Sequence, residues 1–188
     1  MSTAEKFSGF LDHIQRHLGQ IRDGEPPTVG GGNRGYALFF LLNASGTLVS
    51  VVTNGLRFQR VRAVKPQEFV VTVHTRFERQ AHFLAIITAD QVIRTGVGLV
   101  FDQVVLAEQP LIPDTQIQGV IASTHPYIDS DLEDMPGADG EIELQLLTLI
   151  PVTGAEGRLA QQQGSDALYD RWEAQETDLL DITRASAV

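Results

Sequence analysis

The side chains here whose types and spacing could do chemistry are five scattered histidines and a dense run of carboxylates. His125 precedes Asp129 and Asp131 closely enough to suggest an acid–base pair of the hydrolase kind, although spacing alone is a poor warrant for catalysis. Asp129, Asp131, Glu133, Asp134, Asp139, Glu141 and Glu143 make 129–143 the most charged part of the chain. Its opening Asp-Ser-Asp-Leu-Glu-Asp invites a calcium-loop reading. The pattern fails where the loop needs glycine and glutamate: Asp134 and Gly140 stand there instead. A solvated acidic loop or a partner-facing one fits better. His13 and His17 are one helical turn apart, a possible metal pair, but no third ligand is near and His13 falls toward the polar face. His74 reads as structural or exposed, and His82 has no partner that the sequence names. Gly30-Gly31-Gly32-Asn33 lacks the Lys-Ser/Thr of a phosphate loop and precedes a strand, so it reads as a connector. Arg57, Arg60, Arg62 and Lys65 cluster, yet one aromatic residue among them makes a thin nucleic-acid patch; a solvated edge paired with the acidic region is the preferred reading.

No Gly-x-Ser-x-Gly elbow, P-loop, dinucleotide fingerprint or His-Glu-x-x-His is present. There is no cysteine, which excludes disulfides, thiol catalysis and cysteine-based metal sites. Catalytic residues, metal ligands and cofactors are therefore all expected to be none.

The net charge of −10 is unevenly placed. Residues 1–94 carry 11 Lys/Arg against 7 Asp/Glu, whereas 95–157 carry no Lys or Arg against 11 Asp/Glu. If this segregation survives folding, it makes an acidic surface that repels nucleic acid and steers a basic partner. No apolar run reaches the roughly 20 residues of a membrane helix, and no signal peptide is expected at the polar N-terminus. The expected location is the cytoplasm.

The elements that would position these residues follow from periodicity. Ser2 and Glu5 form a capping box ahead of an apolar stripe of Phe7, Phe10, Leu11, Ile14, Leu18 and Ile21, predicting a helix over 3–22. Tyr36 to Leu42 and Thr47 to Thr53 read as a hairpin, and Glu68 to Phe77 as an alternating strand. A helix spans 78–95 and stops at Gly96. Further strands are expected near 98–105, 117–122 and 143–150. Runs 36–42 and 144–150, apolar on both faces, should be the central strands. Pro151 should end strand pairing, having no N–H to donate. Thr153 and Glu156 make another capping box, for a helix over 154–163. Ser165 is expected to cap the last helix, 165–175, whose inward face holds Ala167, Leu168 and Trp172. Leu179 and Leu180 pack the last segment back onto the body. The fold expected is a single domain over 1–188 of α/β (α+β) class, with a mixed central sheet and helices packed on it.

The C-terminal third also carries a resemblance. Leu-Leu-Thr-Leu-Ile-Pro-Val-Thr (146–153), Glu156, Gly164-Ser165-Asp166-Ala167-Leu168, an acidic-Leu-Leu-Asp segment and the terminal Arg184-Ala185-Ser186-Ala187-Val188 resemble bacterial members of the Suppressor of fused domain family. Pro113-Asp114-Thr115 leading into Gly119-Val120-Ile121 resembles the family's segment before its penultimate strand. The resemblance implies a non-catalytic protein that sequesters another: eukaryotic members hold a transcription factor, and bacterial members serve as immunity proteins against toxin domains. A basic partner suits the acidic middle, with the contact expected on Asp129, Asp131, Glu133 and Asp134. The alternatives are a hydrolase built on the histidine–carboxylate cluster near His125 and a scaffold domain within a larger assembly.

Overall fold

The computed structural model describes residues 6–128 and 130–188. The first helix, α1 (Phe10–Leu18), buries Phe10, Ile14 and Leu18 on one stripe. Leu11 falls off that stripe and is exposed. The Ser2–Glu5 capping box lies outside the described residues. The helix is shorter than its apolar spacing predicts, and Gly19 is the reason. Its φ is 107°, and a Cβ there would stand 2.0 Å from the Leu42 carbonyl oxygen. The chain therefore turns at Gly19, and Ile21 enters a strand, β1 (Gln20–Glu25).

Strands β2 (Thr28–Val29) and β3 (Gly32–Asn33) pair with each other across the glycine-rich connector. The expected hairpin forms from β4 (Ala37–Leu42) and β5 (Leu48–Asn54). After β6 (Gln67–His74) come α2 (Glu78–Thr95), β7 (Val104–Leu106) and β8 (Ile117–Ser123). Only two residues of the apolar 98–105 region, Val104 and Val105, become strand, and β7 ends one residue beyond it. Then follow β9 (Asp134–Pro136), β10 (Ile142–Thr153), α3 (Gly154–Gln163) and α4 (Ser165–Ala174).

One sheet takes eight of these strands in the order β1-β4-β5-β6-β10-β8-β7, with β9 also on β10. The pairing of β6 with β10 is parallel and joins the hairpin half to the C-terminal half. The run 144–150 is central, as expected. The run 36–42 is not: β4 lies second from the edge, and its two apolar faces are covered by helices rather than by a central position. β10 also continues through Pro151, which stands opposite Val120. The Pro151 carbonyl accepts from Arg184 Nη2 at 3.0 Å. Its ring nitrogen points the same way, away from β8, so the missing N–H costs no ladder bond.

Alternation along the strands separates two faces. Phe69, Val71 and Val73 of β6 with Leu147 and Leu149 of β10 pack under α2. The helix presents Ala81, Ala85 and Ala89 at single-turn spacing, small side chains that let it lie close to the sheet. Leu84 is fully buried there, a burial that stabilises by about 1.5–3 kcal/mol. On the other face, Leu144 and Leu146 meet α1, while Ile150 and Val152 of the same strand meet α3 and α4. Ser50, Thr72 and Thr148 form a polar seam between these two apolar clusters. The side of β6 that carries Val70 and Thr72 is thus buried as well as the side that carries Phe69, Val71 and Val73.

The capping box at α3 is present in full: Thr153 Oγ1 accepts from the Glu156 amide, and Glu156 Oε2 accepts from the Thr153 amide. Gly157 lets α3 approach β7, since a Cβ there would stand 2.5 Å from Leu106. Gly164, with φ of 93°, caps α4, and Ser165 is its first helical residue with no capping bond. Leu168 and Trp172 face inward and Leu179 and Leu180 pack back, as expected. Among the described residues, no helix is long and apolar enough to cross a membrane.

Candidate functional site

The segment 124–136 crosses the sheet face between the α4 end and α1, and it contains the residues singled out from sequence. It leaves β8 beside Thr148 and ends as β9 beside the start of β10. Leu132 and Met135, three apart, are buried against α1 and tie the acidic stretch to the core. The stretch is therefore not a simple solvated loop: it holds a short 3-10 turn (Ser130–Leu132) and a strand.

Its carboxylates divide accordingly. Asp131 and Asp134 are exposed. Glu133 is 4% exposed, and its Oε1 accepts from the His125 amide at 2.7 Å. A partner could not reach it, so the expected contact set loses this member. With Leu132 and Met135 held inward, Glu133 turns in to satisfy a backbone donor. Burial pushes its carboxyl above the ordinary range. Asp129 lies outside the described residues. Among the described residues, no three His, Asp or Glu converge as metal ligands.

His125 is 5% exposed. Its Nδ1 accepts from the Tyr127 amide at 3.2 Å, so the proton sits on Nε2, which lies 3.0 Å from Thr72 Oγ1. Thr72 Oγ1 in turn lies 2.8 Å from Ser50 Oγ. No carboxylate of the described residues bonds the ring. Burial pushes the imidazole down to about 4. A base oriented by an aspartate would move the other way, because a nearby negative charge favours the imidazolium. The ring is a neutral strut between β6 and the turn at Pro126, and among the described residues no carboxylate joins it to make the pair of the hydrolase reading.

The sign of the resulting pH effect follows from the lowered value. Above about 6.5, folded and unfolded chains both carry neutral His125. Between about 6.5 and 4 the unfolded chain binds a proton that the folded one refuses, so stability is lost as pH is lowered through that window. The loss attributable to this ring is on the order of 3 kcal/mol. Urea denaturation at several pH values, for the native chain and for His125→Gln, measures it as the difference between the two slopes. Parallel slopes would mean that the ring is solvated.

The other histidines also find partners. His13 is 7% exposed and bonds the Leu132 carbonyl through Nε2 at 2.9 Å, not the solvated polar face expected. Its ring lies 4.9 Å from that of His17. His82 meets Glu25 at 2.9 Å, and His74 meets Asp178 at 2.8 Å. In the basic cluster, Arg57 is not solvated: it pairs with the fully buried Glu68 at 2.5 Å. Among the described residues, no salt bridge joins Arg60, Arg62 or Lys65 to the acidic stretch.

Beside Tyr127 the same face opens into a groove of about 650 Å³, bounded by Trp172 of α4 and by the segment 176–180. Sequence reading took Trp172, Leu179 and Leu180 as interior packing and missed the groove. The available signal was the placing of Glu173, Glu176 and Asp178 among those apolar residues. The segment is fastened by the His74 amide to the Leu180 carbonyl at 3.1 Å and by Arg76 to Asp181 at 3.0 Å.

Comparison with known proteins adds the following. The family model described as Suppressor of fused protein (SUFU) matches residues 43–185. No match was found among curated protein sequences. A SUFU (suppressor of fused protein) homolog from Neisseria gonorrhoeae FA 1090 has a similar structure, with TM-score 0.71 and 18% identity, covering 96% of this chain and 96% of that one. The Sufu–Fu complex gives TM-score 0.64 at 12% identity over 97% of this chain and 92% of that chain. Drosophila Suppressor of Fused gives 0.52 at 13% identity over 81% of this chain and 42% of that chain.

Proposed function

We propose that this chain, which belongs to the Suppressor of fused family, is a non-catalytic protein-binding domain that sequesters a basic protein partner. Residues 1–188 would act as one unit, in the cytoplasm. The solved Sufu–Fu complex shows that the fold can serve in a protein assembly. The observation that carries the reading is the exposure of Asp131 and Asp134 on a segment whose Leu132, Glu133 and Met135 are anchored inward. Carboxylates held this way keep their positions without a partner, so little ordering cost attends association. Such charges act on the encounter rate and on specificity more than on final affinity. The buried, neutral His125, bonded to Thr72 and Tyr127, leaves the competing hydrolase reading without its base.

Affinity capture from native lysate at low salt, repeated at high salt, tests the reading. A stoichiometric basic protein should be retained at low salt and released at high salt. Asp131→Lys with Asp134→Lys should slow its association by about tenfold or more. Capture by that variant identical to capture by the native chain would rule the segment out, and an empty capture would remove sequestration altogether. If the role is immunity, the captured protein should arrest growth when expressed alone and not when expressed with this chain.

A further inference from the structure

The groove beside Tyr127 combines an apolar floor with a one-sign rim. Tyr127, Trp172, Leu179 and Leu180 supply the floor, and Glu173, Glu176 and Asp178 supply the charge. A second recess of about 340 Å³ shares Trp172 and Glu173 with it and extends toward Tyr169. Among the described residues, no Lys or Arg lines either one. Asp178 faces His74 and is partly compensated. Glu173 and Glu176 are exposed, and neither makes a salt bridge among the described residues. Tyr127 is 52% exposed, yet its hydroxyl accepts from the Leu179 amide at 3.2 Å. That bond ties the ring to the segment that forms the opposite wall.

An apolar floor holds an aliphatic or aromatic side chain, while two unpaired carboxylates at the rim hold cations and repel acidic chains. We propose that this groove docks a segment of the protein partner in which an apolar residue is flanked by Lys or Arg. The proposal rests on the protein-binding reading above and adds to it a contact separate from Asp131 and Asp134. The turn at Pro126 leads from the groove directly into the acidic segment, so one partner could engage both.

Trp172 is the sole tryptophan of the chain and borders both recesses, which makes its emission the readout. The whole chain is titrated with a blocked synthetic octapeptide carrying one leucine between Arg and Lys residues, and with the same peptide bearing Glu in their place. The basic peptide should give a saturable change in Trp172 emission, and the acidic peptide none. Glu173→Lys with Glu176→Lys, both surface changes, should weaken the basic peptide by about tenfold while leaving the urea midpoint unchanged. Tyr127→Ala should weaken it as well, independently of salt. Equal binding of both peptides, unchanged affinity in the reversal variant, or no binding by calorimetry would overturn the proposal. So would a dimer in sedimentation that the same reversal dissolves, since the occupant would then be a second copy. Captured partner that survives the Glu173/Glu176 reversal but is lost on Asp131/Asp134 reversal overturns the groove alone and leaves the protein-binding reading standing.

Discussion

Replacing Glu156 by alanine should lower the unfolding free energy by about 3–5 kcal/mol, the range for stripping one partner from a buried ion pair. The carboxylate is fully buried and fastens several parts of the chain at once. It accepts from Arg184 Nη1 at 2.5 Å and Nη2 at 2.9 Å, from Trp172 Nε1 at 3.2 Å, and from the amides of Thr153 at 2.9 Å and Ala187 at 3.1 Å. Burial works to raise its pKa, but the Arg184 charge and these donors outweigh burial and hold it below the ordinary carboxylate value. With the native value depressed, the stability it contributes is present above the unfolded carboxylate pKa and is lost as pH falls through the lowered one. Alanine would leave the Arg184 guanidinium, 7% exposed, without its counter-charge and would release the C-terminal segment that walls the groove. Urea denaturation followed by Trp172 emission reads the stability, and limited proteolysis beyond residue 175 reads the release. Glu156→Gln should fall between, because it keeps acceptor shape and loses charge. A loss under about 1 kcal/mol for alanine would contradict the account.

A comparable loss, about 3–5 kcal/mol, is expected for Glu68→Ala. Glu68 accepts from Thr53 Oγ1 at 2.5 Å, from the amides of Gly55, Leu56 and Arg57 at 2.8, 3.2 and 3.2 Å, and from Arg57 Nη1 at 2.5 Å. Burial pushes the carboxyl above its ordinary value, and the Arg57 charge with these donors offsets only part of that rise. The guanidinium lies 4.4 Å over the Phe10 ring and 4.5 Å over that of Phe58, so the pair also links the β5–β6 turn to α1. The double variant Arg57→Met, Glu68→Leu separates charge from hydrogen bonding. Removing both charges cancels the cost of an uncompensated ion, but three backbone amides still lose their acceptor, as they do in the single variant. The double variant should therefore recover less than half of the single loss. Full recovery would show that the amides find other partners and that the ion pair alone matters.

These two networks mark where sequence reading succeeds and where it stops. Thr153 and Glu156 were legible as a capping box, because a cap is set by residues three apart and depends on nothing distant. The further bonds of Glu156 to Trp172, Arg184 and Ala187 were not, since they join strand, helix and terminus across the fold. Arg57 and Glu68 stand eleven residues apart, and only the hairpin geometry of β5 and β6 makes them a pair. Arg57 read as part of a solvated basic edge because charge alone does not reveal which cation finds a buried counter-charge.

The α/β class, α2 with its Gly96 stop, the hairpin, the central run of β10 and the family were determined by the sequence itself. The structural elements rest on periodicity, a cap or an apolar run, and the family on the resemblance of the C-terminal motifs, all properties of neighbouring residues. Tertiary structure decided the rest. Leu132 and Met135 bend the acidic segment onto α1, which buries Glu133 and leaves Asp131 and Asp134 outside. The Leu42 carbonyl ends α1 at Gly19. Arg184 accommodates Pro151 within β10, and burial against Thr72 of β6 keeps His125 neutral. In each case the deciding partner lies far along the chain, and its approach is fixed by strand order, which no local pattern encodes.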